Sequence, residues 1–193
     1  LLNVINFAHG ALFMMGAVVT WMAMNYFGIS YWVMLIVAPL VVGVFGVIIE
    51  RLLLRWIYKL DHLYGLLLTL GLTLLIEGAF RSVYGASGLG YDTPDLLSGG
   101  TNLGFMFLPN YRAWVVVASI TVCLATWFVI EKTKLGAYLR AGTENPRLVE
   151  AFGVNVPVMV TLTYAFGAAL AGFAGVLSAP VYQVSPLMGQ DLI

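Results

Sequence analysis

Charge is scarce in this sequence. Its 193 residues hold 9 Lys and Arg against 9 Asp and Glu, a charged fraction of 9%. A soluble domain carries roughly a quarter, because water must wet its surface. These few charges cannot cover a globule, so lipid must be the solvent for most of the chain. The zero net charge also excludes the basic footprint of a nucleic-acid binder. Cysteine occurs once, at Cys123, which rules out an internal disulfide and any paired-cysteine metal spacing. The histidines are His9 and His62, so the i,i+4 pair of a helical zinc protease is lacking. No enzyme chemistry, cofactor or metal is expected. The chain opens without Met and without a basic segment ahead of a cleavage site, so it reads as lacking a signal peptide. Its closing "MGQDLI" has no tail or final helix, and a piece of a longer protein, incomplete at both ends, is expected.

Apolar residues, by contrast, make up 61% of the chain. Five stretches approach the roughly 20 residues that cross a bilayer: Phe7–Phe27, Tyr31–Ile49, Leu63–Phe80, Trp114–Ile130 and Val158–Ser178. The expected fold class is therefore all-α, a polytopic transmembrane helix bundle. Arg51, Arg55 and Lys59 fall in one connection, and Lys132, Lys134, Arg140 and Arg147 in another. Only Arg81 and Arg112 flank the opposite side. Parity and the positive-inside rule agree in placing the basic connections in the cytoplasm and Ser82–Asn110 outside. In the last stretch, Gly167/Ala171, Ala168/Gly172 and Ala171/Gly175 repeat small residues four apart, a spacing that lets helix backbones approach closely in lipid.

Polar groups inside an apolar span are costly, and they face protein or a water-filled path. Asn3, Asn6, His9 and Gly10 stand at the mouth of the first span. This "NFAHG" segment is either a discontinuity beside a translocation path, with Asn6 and His9 holding adjacent helices, or a helix start with Asn6 as its cap. Glu77 reads as the only carboxylate well inside a span. Arg81, four residues on, is in position for an i,i+4 ion pair, with contact to a substrate as the other reading. Thr69 and Thr73 lie four apart on the same helix, where hydroxyls either bond the preceding turn or line a path.

The connection "LGAYLRAGTENPRLVEAFGVNVP" is too long for a turn between antiparallel spans. A short helix lies inside it with both ends marked. Asn145 can accept from orphan N–H groups, Pro146 has no N–H to satisfy, and Gly153 offers a left-handed stop. Leu148, Ala151 and Phe152 share one face, with Arg147 and Glu150 adding mixed polarity. Such a helix can rest in headgroups or dock in a groove on a soluble partner.

"VINFAHGALFMMGA", "LLLTLGLTLLIEGAFR", "RAGTENPRLVEAFGVNV" and "TYAFGAALAGFAGVLSAP" together resemble the permeases of bacterial ABC importers for branched-chain amino acids. The first of them is similar to the start of one of that family's two permease subunits. The resemblance implies a single transmembrane permease domain over residues 1–193, in the bacterial inner membrane. It also implies a second permease subunit, two cytoplasmic ATPase subunits and an extracytoplasmic binding protein as partners. The Asn145–Gly153 helix becomes the coupling helix, with Arg140, Ala141, Asn145, Pro146, Arg147, Leu148, Glu150, Ala151 and Gly153 at the ATPase. Asn6, His9, Gly10, Thr69, Thr73 and Glu77 become candidates for the translocation path.

Two alternatives remain open on the residues alone: a facilitator without ATPase partners, and an importer of urea or short amides. An intramembrane serine protease is the rival from another class. "GASG" at 85–88 matches the serine motif of rhomboid-type proteases, but both histidines precede it, where that family's follows. Ser82–Asn110 has turn signals at Thr93-Pro94 and Ser98-Gly99-Gly100. A short helix or hairpin is expected there, as a solvated loop or a face for the binding protein.

Overall fold

The computed structural model describes residues 6–58, 60–102, 104 and 107–190, apart from the side chains of His62 and Thr143. Asn3 and Lys59 of the sequence reading lie outside the described residues. Five helices are long and apolar enough to cross a membrane: Ala8–Phe27, Tyr31–Ile57, Leu63–Tyr84, Asn110–Lys132 and Val156–Tyr182. Every predicted span is present, most of them extended by a few residues at their ends.

The chain divides into two compact units. One holds residues 6–94 and 164–190. Here α1 (Ala8–Phe27) is followed by α2 (Tyr31–Ile49), which passes through a π-helical turn (Glu50–Leu54) into α3 (Arg55–Ile57). Next come α4 (His62–Tyr84) and, from Tyr164 onward, the greater part of α8 (Val156–Tyr182). Gly28, in the left-handed region at φ 63°, ends α1 and receives no clash there, so the chain can turn back within three residues.

Small residues decide how these helices meet. A Cβ on Gly16 would strike the Gly172 backbone, and one on Gly175 would strike the Phe13 carbonyl, so α1 and α8 touch main chain to main chain. On the other side of α8, a Cβ on Gly46 would lie 2.6 Å from Ala168, and one on Gly172 would lie 2.8 Å from Val42. The small-residue repeat read from the sequence is thus the seam along which α8 inserts between α1 and α2. Ile36, Leu40, Val44 and Ile48 form the opposite stripe of α2 and are exposed, as a lipid-facing surface requires.

After α8 the chain turns inward again. Gln183 takes φ 62°, and Val184 exchanges hydrogen bonds with Leu89 at 2.8 and 3.1 Å. Residues 185–190 then descend as tight turns until Gly189 meets the Gly10 backbone. Val184 and Met188 enter the core formed by Phe13, Met14, Ala17, Val18, Phe80 and Ala179. The loop before it is pinned as well: Trp21 Nε1 donates to the Gly90 carbonyl at 3.0 Å, and the Tyr91 hydroxyl donates to Met24 Sδ at 2.9 Å.

The other unit comprises residues 95–163. A 3-10 turn (Asp95–Leu97) leads into a hairpin of β1 (Gly100–Asn102) and β2 (Phe107–Pro109), antiparallel with Thr101 opposite Leu108. The Ser82–Asn110 segment therefore contains both of the forms its turn signals allowed. Then come α5 (Asn110–Lys132), α6 (Lys134–Glu144), α7 (Pro146–Ala151) and the first turns of α8. The sequence reading had only α7 between the last two spans; α6 is an additional helix. Thr133 caps it by accepting from Gly136 N–H at 3.4 Å, and a Cβ on Gly136 would collide with the Ile130 backbone, which is why the α5–α6 turn can be this sharp.

The seam makes a direct prediction. Gly172→Leu forces α8 away from both neighbours and destabilises the fold by about 1–3 kcal/mol. Gly71→Leu, where an added Cβ meets nothing within 4 Å, is near neutral. Thermal unfolding of the two variants in detergent checks the difference.

Candidate functional site

The α4 helix is built inside out. Leu67, Leu70, Leu74 and Leu75 are exposed, whereas Thr69, Thr73 and Glu77 are buried at i, i+4 and i+8. This single polar stripe faces the interior of its unit. Thr73 donates to the Thr69 carbonyl at 2.9 Å and Thr69 to the Leu66 carbonyl at 3.1 Å, so both hydroxyls bond the preceding turn. Thr69 does more: its oxygen also accepts from the Phe7 N–H at 3.3 Å, closing one of the free donors where α1 begins.

That contact fixes the depth of the "NFAHG" segment. Phe7 lies level with Thr69, and the Trp21 ring lies 5.5 Å from that of Tyr84, so α1 and α4 run parallel in step. His62, the first residue of α4, precedes Thr69 by seven positions, so α1 starts about 10 Å along α4 at 1.5 Å per residue. Asn6 stands one residue ahead of the cap position, which Phe7 takes without a side-chain bond, so the expectation of Asn6 as the cap is corrected by one residue. Its Oδ1 accepts from Ala8 N–H at 3.1 Å and supports the first turn from outside, while its Nδ2 reaches His9 Nδ1 at 3.1 Å and the Tyr164 hydroxyl of α8 at 3.4 Å, so it does hold adjacent helices. With Nδ1 accepting, the His9 ring carries its proton on Nε2. Gly10 is buried against Gly189, so its role is to let two backbones touch.

Two predictions about carboxylates are corrected. Glu77 is 6% exposed and accepts from Gln190 Nε2 at 2.6 Å, not from Arg81. Arg81, four residues on, is exposed. Burying a neutral amide beside a carboxylate costs less than burying a guanidinium, and the inward turn of 183–190 brings that amide within reach. Glu77 Oε1 is buried and meets no donor among the described residues. Nor is Glu77 the only carboxylate within a span. Glu50, 1% exposed, lies inside the membrane-length helix Tyr31–Ile57, at the start of the π-helical turn. Such turns insert one extra residue into a helix and recur at functional sites. Tyr58, just past the span, has its phenol raised well above the ordinary range, by burial first and by the Glu50 charge second.

Glu50, Tyr58, Tyr164 and Gln190 were missed in the sequence. Glu50 and Tyr58 sit eight apart, two helical turns, and so share a face; that spacing was the available signal. Nothing local marks Gln190, whose partner is 113 positions away.

In the other unit, α7 has the ends its sequence predicted. Asn145 Oδ1 accepts from Leu148 N–H at 3.1 Å, Pro146 opens the helix, and Gly153 closes it at φ 82°. Val149 is buried, while Leu148 and Phe152 are exposed at 55% and 80%. The apolar face is therefore uncovered and rests on a single anchoring side chain. Arg147, Glu150 and Ala151 are exposed beside it. Arg140 and Ala141 belong to α6, where Arg140 donates to the Ile130 carbonyl and pairs with Glu131 at 3.2 Å. That exposed pair contributes about 0–1 kcal/mol and chiefly orients α6.

Comparison with known proteins places this architecture. The high-affinity branched-chain amino acid transport system permease protein LivH of Salmonella typhimurium is 27% identical over 98% of this chain and 65% of its own length. The corresponding BraD of Pseudomonas aeruginosa is 24% identical over 95% of this chain and 64% of its own. The probable branched-chain amino acid transport permease protein LivH of Methanocaldococcus jannaschii is 30% identical over 99% and 61%. The chain thus spans just under two thirds of the length of these relatives. No solved structure matches it. The sequence model described as "Branched-chain amino acid transport system / permease component" matches residues 1–193, and this multi-pass membrane chain belongs to that family.

Proposed function

We propose that the chain is a permease subunit of an ATP-driven importer that moves branched-chain amino acids across the bacterial inner membrane. Residues 1–193 contribute a single transmembrane domain to it. Its partners are a second permease subunit, two cytoplasmic ATPase subunits and an extracytoplasmic binding protein. The observation that carries the reading is the family match along the whole chain, joined to an uncovered helix on the side the basic residues assign to the cytoplasm. The relatives' names favour branched-chain amino acids over urea or short amides as cargo.

In this reading α7 is the lever. Leu148 and Phe152 enter a cleft on the ATPase, and Asn145 and Gly153 keep the helix short and stiff. Closure of the ATPase pair on ATP then displaces α7 and, through the chain that follows it, α8. Asn155 supports that transfer, since its side chain caps α8 by accepting from Val158 N–H at 3.1 Å. Asn6, His9, Gly10, Thr69, Thr73 and Glu77 border the path. On the outer side, the 3-10 turn and the hairpin present Leu96 and Phe107, both exposed, to the binding protein.

Proteoliposomes holding the chain with its permease, ATPase and binding-protein partners should accumulate leucine only with internal or external ATP at the ATPase face; uptake without ATP supports an uncoupled facilitator instead. Ala151→Arg should leave membrane insertion intact and reduce ATP-driven uptake at least about tenfold, because a bulky cation on the docked face costs more than 1.4 kcal/mol of binding. Normal uptake by that variant removes α7 from the coupling.

A further inference from the structure

The Glu77–Gln190 pair is poorly matched to a merely structural task. A carboxylate buried within a span gains most from a cation or several donors, yet among the described residues Glu77 has one neutral amide on Oε2 and no donor on Oε1. Its partner ends a run of turns at 186–189 that lies beyond the Leu89–Val184 bridge and outside every α-helix, so moving it costs no α-helical hydrogen bonds. Phe80 and Met188, close in sequence to Glu77 and Gln190, belong to one apolar cluster with Ile76 packed on it. Below Glu77 on the same helix face are the Thr73 and Thr69 hydroxyls.

We infer that Glu77 is the contact for the substrate's ammonium group, and that Gln190 holds its place when no substrate is bound. The inference rests on the permease reading above. An α-amino acid brings a cation with three N–H donors, which satisfies both oxygens where Gln190 satisfies one. Its aliphatic side chain lies against Phe80 and Met188 as the 183–190 segment yields. The two threonines then provide hydroxyls toward the inner end of the same stripe. The exchange explains why a carboxylate stands where an apolar residue would pack at lower cost.

The test is leucine uptake by the reconstituted assembly, measured as KM and kcat for the intact complex. Glu77→Gln keeps the size of the side chain and removes the charge, and it should lower kcat/KM at least about tenfold while the complex still purifies with its ATPase subunits. Glu77→Asp should recover part of the loss with a raised KM. Gln190→Ala removes the competitor and should lower KM about threefold, since the open carboxylate is then more often available. A structural clamp predicts the reverse sign, with both Glu77→Gln and Gln190→Ala impairing uptake alike; that result, or wild-type uptake by Glu77→Gln, overturns the inference. Failure of the wild-type assembly to carry leucine overturns the permease reading itself, and this inference with it.

Discussion

Close contact between backbones, made possible by glycine, is the constraint on which the rest of this structure depends. Lipid gives apolar side chains no reason to leave it, so helices associate only where packing and internal hydrogen bonds exceed what lipid offers. Gly16 against Gly172, and Gly175 against Phe13, bring α1 and α8 together at the backbone. On another face of α8, Ala168 and Gly172 fit against Gly46 and Val42 of α2. Once these surfaces are occupied, the leucines of α4 have no interior to enter and remain outside. The interior face of α4 is left to Thr69, Thr73 and Glu77.

Irregular backbone at membrane depth follows from the same contact. Non-helical chain can exist there only if its donors and acceptors are satisfied by protein. Residues 183–190 meet that condition through the Leu89–Val184 exchange and their own turns, with the Gly10–Gly189 contact letting the segment lie against α1. The start of α1 meets it through Asn6 and Thr69. Both irregular segments therefore end beside α4, and together they assemble a polar site from residues far apart in the chain. The Asn6–Tyr164 hydrogen bond adds a second polar link, between the start of α1 and α8.

What could be read from the sequence was whatever depends on neighbours in the chain. Spans are visible because hydrophobicity accumulates over twenty residues, and α7 because Asn145, Pro146 and Gly153 each act within one turn. The hairpin and 3-10 turn were legible from their turn residues for the same reason. The α6 helix was not, because "KLGAYLRAGTE" carries two glycines and reads as a charged connection until Thr133 caps it. The Glu77–Arg81 pairing was misjudged because helical spacing says which side chains can meet, not which competitor the tertiary fold delivers. Glu50 was passed over as the first residue of a loop, although the helix continues through a π turn and carries it into the interior.

The orientation of α4 is the most direct point at which to test this account. Cys123 is exposed, so it is first replaced by serine, and single spin labels are then placed along α4 in lipid bilayers. The account predicts high collision rates with membrane-dissolved oxygen at positions 67, 70, 74 and 75, and low rates at 69, 73 and 77. Labels at 69, 73 and 77 that meet oxygen as freely as those at 74 and 75 would mean that the polar stripe faces lipid, and the account would be contradicted.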